Sequence, residues 1–229
     1  MFVALEGIDG AGKNTLTKGL VARAAAAGLS CATLSFPRYQ ETAFGQLVGR
    51  YLNGEFGDLN EVSPDFAALL YAGDRYESLG VIEAALRDND LVIADRYVAS
   101  SAAYQAARLA PAARQAFIDR VADIEHVVFR LPVPDLYVLL DVPPAKAADM
   151  VLMKAKRSYT DKAADLHEAN HSYLATCDAI YREIARKGFG APWIAVSVLD
   201  AVGDLRPPDE IASDAWSEIE RRLPKAGAG

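Results

Sequence analysis

Residues 2–15 run Phe2-Val3-Ala4-Leu5-Glu6-Gly7-Ile8-Asp9-Gly10-Ala11-Gly12-Lys13-Asn14-Thr15. The apolar segment 2–5 predicts a buried strand, and the glycines after it predict a tight loop that leads into a helix. In such a loop the backbone N–H groups and the lysine converge on phosphate oxygens at the helix N-terminus. We therefore predict a phosphate-binding loop for a nucleoside triphosphate, formed by Gly7, Asp9, Gly10, Ala11, Gly12, Lys13, Asn14 and Thr15.

One position departs from the usual form of this loop. The residue after the lysine is commonly a serine or threonine whose hydroxyl meets Mg²⁺. Here it is Asn14, so we expect Thr15 to supply the hydroxyl. Asp9 is either a turn residue or a functional carboxylate, because a negative charge beside phosphates is unfavourable unless it meets a cation or a substrate hydroxyl. We predict the functional role.

Short apolar runs recur along the chain, and helix-compatible segments lie between them. The runs lack polar alternation, which is typical of strands covered on both faces of a parallel sheet. We predict an α/β fold with a five-stranded, doubly wound parallel sheet flanked by helices. The predicted strands are Phe2–Leu5, Cys31–Phe36, Leu91–Asp95, Leu136–Val142 and Ile194–Val198. The predicted helices are Lys13–Ala27, Phe44–Leu52, Pro64–Arg87, Arg96–Leu109, Ala112–Phe129, Ala145–Met153, Lys162–Arg186 and Pro207–Leu223.

The length and charge of the chain limit its organisation and its partners. With 229 residues and a net charge of −7, it suits one sizeable α/β domain and has no positive footprint for nucleic acid. No apolar run approaches the length of a membrane span, so we expect a cytoplasmic protein with no membrane partner. We predict a single domain over residues 1–223 and a flexible tail at 224–229.

Aromatic and charged residues follow two of the predicted strands, at the sheet edge where open α/β folds bind ligands. Phe36 is either a core aromatic or a stacking surface for a base. We predict that Phe36 stacks on a base and that Arg38 is a partner on the phosphate side. For Tyr39 both alternatives stay open, a turn residue or a residue of the site. Asp95 ends a strand that in phosphate-loop proteins places a carboxylate near Mg²⁺. Arg96 stands where an ATPase often has a water-activating glutamate, which favours transfer to a phosphate acceptor over hydrolysis.

Two further arginine-bearing or lysine-bearing segments belong to this hypothesis. Tyr71 and Arg75 share one face of a predicted helix, and Arg75 is either part of a surface Asp–Arg pair or, with Arg96, a clamp on a monophosphate.

The segment 154–162 is either a solvated charge run or part of a lid at about 153–164. We favour the lid, because phosphoryl transfer needs water excluded and charge neutralised on the transferred group.

The motifs together resemble the thymidylate kinase family, most closely its bacterial form. They occur in the family's order and cover residues 2 to about 185. The phosphate loop alone is widespread, whereas the later elements in this order are much more specific. The matching pieces are Gly7-Ile8-Asp9-Gly10-Ala11-Gly12-Lys13-Asn14-Thr15, Phe36-Pro37-Arg38-Tyr39, Tyr71-Ala72-Gly73-Asp74-Arg75, Asp95-Arg96-Tyr97-Val98-Ala99-Ser100-Ser101 with Tyr104, and Asp165-Leu166-His167-Glu168.

The resemblance implies a three-layer P-loop kinase fold, a homodimer, and transfer of the γ-phosphoryl group of ATP to dTMP with Mg²⁺. It implies that Phe36 stacks on thymine, that Ser100 and Ser101 lie at the base edge, and that Tyr104 favours deoxyribose by crowding the 2′ position. The implied catalytic residues are Asp9, Lys13, Arg96, Lys154 and Arg157. The implied metal ligands are Asp9, Asp95 and Glu168. The implied dTMP contacts are Asp9, Phe36, Arg38, Tyr39, Tyr71, Arg75, Arg96, Ser100, Ser101, Tyr104, Asp165 and Glu168.

Two departures from the family pattern bear on substrate contacts. Ser101 stands where family members often carry Asn, Gln or Thr, so the base contact there is shorter or bridged by water. The lid has only one arginine, Arg157, among lysines, and lysine is a point charge rather than a planar fork.

Two alternative functions remain open. The chain could be a kinase of the same fold for another deoxynucleotide or a nucleoside, or it could be a P-loop ATPase or switch. Arg96 after Asp95 weakens the last of these.

Overall fold

The computed structural model describes residues 1–59, 61–157 and 171–223. Five strands form one sheet in the order β2-β3-β1-β4-β5, and every neighbouring pair is parallel. This confirms the predicted α/β fold. The strands are β1 Phe2–Glu6, β2 Cys31–Ser35, β3 Leu91–Asp95, β4 Leu136–Asp141 and β5 Trp193–Ser197.

Helices flank the sheet as the alternating pattern predicts. In the described ranges there are nine α-helices and a π-helix at Asp123–Val128. The α-helices are α1 Lys13–Ala26, α2 Ala43–Leu52, α3 Pro64–Glu77, α4 Leu79–Asp88, α5 Val98–Ala106, α6 Pro111–Ala122, α7 Pro144–Arg157, α8 His171–Lys187 and α9 Pro208–Glu220.

Burial differs between the central and the outer strands of the sheet. β1 is buried along its whole length, and β3 and β4 are buried except at their last residues. The outer strands β2 and β5 are only partly buried. The prediction that all five strands are covered on both faces is therefore wrong for β2 and β5, because a sheet edge has a neighbour on one side only.

The strand order brings the predicted functional segments to one edge of the sheet. β1 lies between β3 and β4, and Leu5 pairs in register with Asp95. Ser35 of β2 pairs with the same Asp95. The residues that follow β1, β2 and β3 therefore emerge side by side at the carboxyl edge, where open α/β sheets form their ligand crevice.

Helix boundaries differ from the sequence-based prediction, most clearly in the helices predicted at 64–87, 96–109 and 112–129. The predicted helix 64–87 is broken at Ser78, whose hydroxyl donates to the Asp74 carbonyl at 2.8 Å. The helix after β3 begins at Val98 because Arg96 has φ 68°, which lies outside helical geometry. The predicted helix 112–129 changes into the π-helix after Ala122.

The ends of the predicted lid and tail fall at the limits of the described chain. α7 continues to Arg157, beyond the predicted end at Met153. Residues 158–164 of the predicted lid lie outside the described residues, and so does the tail 224–229. Among the helices that the structure describes, none has the length and apolar character needed to span a bilayer.

Two glycines on α2, Gly45 and Gly49, provide a test of how this helix packs against the segment that connects it to β2. A Cβ at Gly45 would overlap the Arg38 carbonyl oxygen, whereas a Cβ at Gly49 would lie 3.6 Å from Tyr39, an ordinary contact. We expect Gly45→Ala to lower the free energy of unfolding by about 1–3 kcal/mol through overpacking against backbone. Gly49→Ala is the matched control and should raise it by about 0.5–1 kcal/mol. Urea unfolding followed by circular dichroism measures both, and equal effects of the two changes would contradict this packing.

Candidate active site

The loop after β1 has the backbone of a phosphate cradle. Gly7, Gly10 and Gly12 have φ of 138°, 84° and 95°, a region that glycine adopts without strain. Gly12 is the N-cap of α1, and no side chain in the described part of the chain caps that helix end. The first N–H groups of α1 therefore remain for an anionic ligand, which the helix dipole also favours.

Lys13 is folded back into this loop. Its Nζ donates to the carbonyl oxygens of Gly7 at 2.9 Å and Ile8 at 3.0 Å. Burial, reinforced by the positive charge of Arg96, lowers the pKa of Lys13 to about 8. Asn14 and Thr15 are exposed at the start of α1. The lysine is thus held within the loop by neutral acceptors that a phosphate can replace.

A cleft of about 510 Å³ opens beside this loop, between α3 and α5. Its lining brings together most of the residues that the sequence assigns to the acceptor. Arg38 is not among them, and Asp165 and Glu168 lie outside the described residues. The predicted residues that line it are Asp9, Phe36, Tyr39, Tyr71, Arg75, Arg96, Ser100, Ser101 and Tyr104. We refer to it as the acceptor cleft.

Asp9, Arg96 and Tyr104 form one cluster between the loop and the acceptor cleft. The Arg96 guanidinium forms an ion pair with Asp9 and donates to the Gly7 carbonyl at 3.3 Å. The Tyr104 hydroxyl donates to Asp9 Oδ2 at 2.8 Å and accepts from the Asp9 N–H at 3.0 Å. Both carboxylate oxygens of Asp9 are therefore engaged. This arrangement suits a residue that faces the acceptor better than one that binds a metal.

Arg75 corrects the prediction of a two-arginine phosphate clamp. Its side chain is only 1% exposed and forms a bidentate ion pair with Glu125, which is equally buried. Nη2 also donates to the Ser101 hydroxyl at 2.6 Å, and Nη1 to the Tyr97 carbonyl at 3.4 Å. Because Glu125 neutralises its charge, Arg75 is not a free cation for a phosphate. One Nη1 N–H has no partner among the described residues and is available to a neutral acceptor.

Arg38 also differs from its predicted role. Its guanidinium pairs with Glu41 and donates to the Ser78 hydroxyl at 3.3 Å, while its backbone N–H donates to Asp74 at 3.0 Å. These contacts hold the Arg38 side chain between the start of α2 and the end of α3, and not in the acceptor cleft. Asp74, which is fully buried, holds this connection in place and also accepts from the Thr42 hydroxyl at 2.5 Å.

Glu6 is a second buried carboxylate at the site. It accepts from the Ser100 hydroxyl at 2.6 Å, the Tyr181 hydroxyl at 2.9 Å and the Tyr97 N–H at 2.9 Å. Burial raises the pKa of Glu6, and the hydrogen bond from Ser100 acts in the opposite direction. The Ser100 hydroxyl therefore already donates to Glu6, which leaves it no free hydrogen for a base edge.

A second cleft, of about 640 Å³, lies on the other side of the phosphate loop. Gly12 and Thr15 line it together with apolar residues of β4, α7 and the segment between β5 and α9. Arg206 also lines it, and its guanidinium donates to Asp214 at 2.6 Å and to the Ser197 carbonyl at 3.0 Å. We refer to it as the donor cleft. Sequence analysis missed the contribution of residues 198–211, because nothing in their composition marks them.

Glu6, Asp74 and Glu125 are the other residues that the sequence-based interpretation missed. A glutamate next to the phosphate loop, at the end of an apolar run, was a visible signal for Glu6. Asp74 lies inside a recognised motif, but the sequence offered it only as one half of a possible surface pair with Arg75. Glu125 carried no signal, because its contact with Arg75 joins residues fifty positions apart.

The carboxylate set has the chemistry for Mg²⁺ but cannot enclose it alone. Asp95 lies at the end of β3, close enough to Lys13 to affect its pKa, and its carboxylate makes no hydrogen bond or ion pair with a described residue. Among those residues no group of three His, Cys, Asp or Glu side chains could hold a metal ion. Mg²⁺ commonly uses one or two carboxylates and completes its shell with phosphate and water. Asp95 at the end of β3 and Thr15 on α1 supply oxygen ligands of the kind that such a site uses.

Comparison with known proteins identifies the family. The family model described as thymidylate kinase matches residues 5–197. The chain belongs to the thymidylate kinase family. Thymidylate kinase from Mycobacterium tuberculosis is 40% identical over 214 residues, which are 91% of this chain and 99% of the relative. A probable thymidylate kinase from Thermococcus onnurineus is 33% identical over 180 residues, which are 76% and 82% of the two chains.

The fold of a solved thymidylate kinase agrees with this assignment. The structure from Candida albicans superposes with a TM-score of 0.65, at 22% identity, and covers 96% of this chain and 91% of its own. The family model and the relatives confirm the predicted resemblance to thymidylate kinases, and the solved structure shows the same fold.

The buried Arg75–Glu125 pair predicts a large stability effect from a small chemical change. Glu125→Gln keeps the side-chain volume but leaves the buried guanidinium without a counter-charge, so we expect a loss of about 3–5 kcal/mol in the free energy of unfolding. Asp65→Asn is the matched control, because Asp65 pairs with Arg120 on the surface, and it should cost less than about 1 kcal/mol. Guanidinium chloride unfolding compares the two variants, and a similar small loss in both would contradict a buried, charged pair.

Proposed function

We propose that this chain catalyses phosphorylation of dTMP by ATP, giving dTDP and ADP, with the two substrates in the two clefts described above. The observation that carries this proposal is the position of Arg96. Its guanidinium contacts the phosphate loop at Gly7 and lines the acceptor cleft. A cation at this point can hold an acceptor phosphate in line with a phosphate bound in the loop, which is the positioning that phosphoryl transfer requires.

The donor, ATP, lies with its phosphates in the loop Gly7–Thr15 and its adenosine in the donor cleft. The uncapped start of α1 and Lys13 support the phosphate position. The apolar lining of the donor cleft supports the position of the base. An oxygen of the dTMP phosphate attacks the γ-phosphorus, the bond to the β,γ-bridging oxygen breaks, and ADP leaves.

The acceptor, dTMP, lies with its base against Phe36 and its phosphate at Arg96. Phe36 lines the acceptor cleft, and the remaining Nη1 N–H of Arg75 suits a base carbonyl. The Arg96 guanidinium lies over the ring of Tyr104, with its Cζ 5.2 Å from the ring centre. The Tyr104 hydroxyl donates a hydrogen bond to Asp9. These contacts support a position of Tyr104 and Asp9 on the sugar side, where they would select deoxyribose and hold the 3′-hydroxyl.

Mg²⁺ is the metal that this site fits. Asp95 and Thr15 would hold it, with ATP oxygens and water as the other ligands. When bound, the ion neutralises charge on the β- and γ-phosphate oxygens. Asp9 is already engaged by Arg96 and Tyr104, so we assign it to the acceptor and not to the metal.

The lid and the single-domain organisation complete the proposal. Met150 of α7 lines the donor cleft, and α7 continues to Arg157. The basic segment at about 153–164 therefore starts beside the donor, where Lys154 or Arg157 can supply a cation to the transferred group. Residues 1–223 act as one kinase domain.

A second copy of the chain suits one apolar surface. Phe66, Leu69 and Tyr76 of α3 are 46%, 43% and 52% exposed, and Val127 and Val128 of the π-helix are 68% and 67% exposed. α3 packs against the π-helix, and Tyr76 contacts Phe129 directly after Val128, so the two elements expose these side chains on adjoining parts of the surface. A contiguous apolar surface of this kind is typical of a protein interface, and we propose that it forms the homodimer contact.

A coupled assay of ADP release tests the proposed reaction directly. We expect the full chain with ATP and Mg²⁺ to release ADP only when dTMP is present, with dTDP identified by chromatography. Equal release without an acceptor would indicate an ATPase. A higher kcat/KM for another deoxynucleotide or for thymidine would indicate one of the other kinases of this fold.

Variants of two arginines complete this assay. Arg96→Ala should lower kcat/KM for dTMP by about 100-fold or more, because its contact strengthens as charge develops in transfer. Arg87→Ala is the matched control, since Arg87 is exposed on α4 and pairs only with Asp88 among the described residues. It should leave activity unchanged. Full activity of the Arg96 variant would exclude the proposed role.

The lowered pKa of Lys13 predicts a pH dependence for ATP binding. Only protonated Lys13 attracts phosphate, and its pKa in the free protein is about 8. At saturating dTMP, kcat/KM for ATP should therefore fall as pH rises above 8, approaching tenfold per pH unit. At saturating ATP, kcat/KM for dTMP should stay level over the same range, because bound phosphate keeps Lys13 protonated. A level profile for ATP between pH 7 and 9.5 would contradict the lowered pKa.

A further inference from the structure

Arg96 has a backbone conformation that the surrounding structure must hold in place. Its φ of 68° lies in the left-handed region, which residues other than glycine seldom adopt. Such a conformation costs free energy and persists only where neighbouring contacts fix it, and it is found most often at functional sites. The proposed transfer depends on the position of Arg96, so the contacts that fix this turn bear on the reaction.

Glu6 fixes the backbone of the turn. The Arg96 N–H donates to the Leu5 carbonyl at 3.0 Å, which continues the pairing of β3 with β1. The next N–H, that of Tyr97, donates to Glu6 Oε1 at 2.9 Å. Glu6 is the last residue of β1, and its side chain here accepts the hydrogen bond that a strand carbonyl accepts one residue earlier. The peptide groups on both sides of Arg96 are thus held by the end of β1.

Glu6 also acts on the side chain of Arg96, through one hydroxyl group. Arg96 Nη1 donates to Ser100 Oγ at 3.3 Å, and the Ser100 hydroxyl donates to Glu6 Oε2 at 2.6 Å. Because the hydroxyl gives its single hydrogen to Glu6, only its lone pairs remain for Arg96. A serine held in this way can accept from the guanidinium but cannot donate towards it. One carboxylate therefore orients both the backbone and the guanidinium of Arg96.

The burial of Glu6 favours a role in geometry over a role in stability. The residue is 0% exposed, and a carboxylate that leaves water loses hydration that hydrogen bonds at best replace. The Tyr181 hydroxyl, which donates at 2.9 Å, is a third donor to it. An apolar side chain at the end of β1 would avoid this desolvation cost. It could not, however, accept from Tyr97 and Ser100.

We propose that Glu6 is a positioning residue that sets the Arg96 guanidinium for phosphoryl transfer, through the Tyr97 N–H and the Ser100 hydroxyl. The proposal rests on the proposed function, since it takes Arg96 as the cation on the acceptor phosphate. Glu6 lines neither the acceptor cleft nor the donor cleft, so it acts through Arg96 and not on a substrate. Because a small displacement of a positioned group slows transfer strongly, loss of Glu6 should lower kcat more than it weakens binding.

A double-mutant cycle between Glu6 and Arg96 tests this role. Glu6→Gln keeps the side-chain length and an oxygen for the Tyr97 N–H, but its NH₂ group opposes the Ser100 hydroxyl with a donor. We expect it to lower kcat about fivefold or more at saturating ATP and dTMP, with Kd for dTMP from calorimetry within about threefold of wild type. In an Arg96→Ala background the same change should lower kcat less than twofold, because the group that Glu6 positions is gone.

The cycle separates positioning from general damage to the fold. A purely structural role would lower kcat by the same factor with and without the Arg96 side chain, and a fall of twofold or more in the Arg96→Ala background would overturn the proposal. A fall of less than fivefold in Glu6→Gln alone would also overturn it. Asp135→Asn is the matched control, because it makes the same chemical change at the opposite end of β1, where Asp135 accepts from the Phe2 N–H at 2.6 Å. It should leave kcat unchanged.

Two hydroxyl variants keep the proposal testable if Glu6→Gln does not fold. Ser100→Ala and Tyr181→Phe each remove one hydroxyl that donates to Glu6, but of the two only Ser100 accepts from Arg96. We expect kcat of Ser100→Ala to be about threefold or more below that of Tyr181→Phe, and a smaller difference would overturn the proposal.

Failure of the proposed function would give a different result from failure of this role. In the first case the wild-type protein would not phosphorylate dTMP. A wild-type protein that phosphorylates dTMP, with independent effects of Glu6→Gln and Arg96→Ala on kcat, would overturn only the role of Glu6.

Discussion

The ion pair between Asp9 and Arg96 joins the two halves of the site. Asp9 belongs to the loop after β1, and Arg96 follows β3, which is the neighbour of β1 in the sheet. Without this ion pair, each charge would be repelled by a like charge. Asp9 would face the phosphates bound in the loop, and Arg96 would face the positive charge of Lys13. The pair neutralises both until a substrate phosphate competes for Arg96. The chemistry of the site thus depends on a contact that only this strand order permits.

Buried carboxylates form the support behind this pair. Glu6 orients Ser100 and Tyr181, Asp74 holds the β2–α2 connection, and Glu125 neutralises Arg75. Buried ion pairs add little net stability, because desolvation offsets their attraction, but they fix geometry strongly. Their function here is to hold a guanidinium and hydroxyl groups in one arrangement around an open cleft.

Much of the fold was predictable because strand signals are local. Leu91–Asp95 was predicted with its exact bounds, three other strands differ by one residue at one end, and β5 is shifted by one residue at both ends. The helix boundaries failed where one residue's conformation or contact decides them, as at Ser78 and at Arg96 with its positive φ. In the site, residues in strand-end motifs such as Phe36 and Arg96 were found. The burial of Arg75 was not, because it depends on a contact from a distant segment.

The π-helix at Asp123–Val128 makes the site sensitive to the length of the chain. A π-turn holds one more residue than an α-turn, and such turns commonly occur at functional sites. The wide turn accommodates the extra residue, so the chain on either side keeps the direction that an α-turn with one residue fewer would give it. Removing one residue from this segment would therefore close the turn to α-helical geometry without rotating the side chains that follow it. The removal would be felt inside the segment itself, where Glu125 pairs with Arg75 and where Val127 and Val128 are exposed.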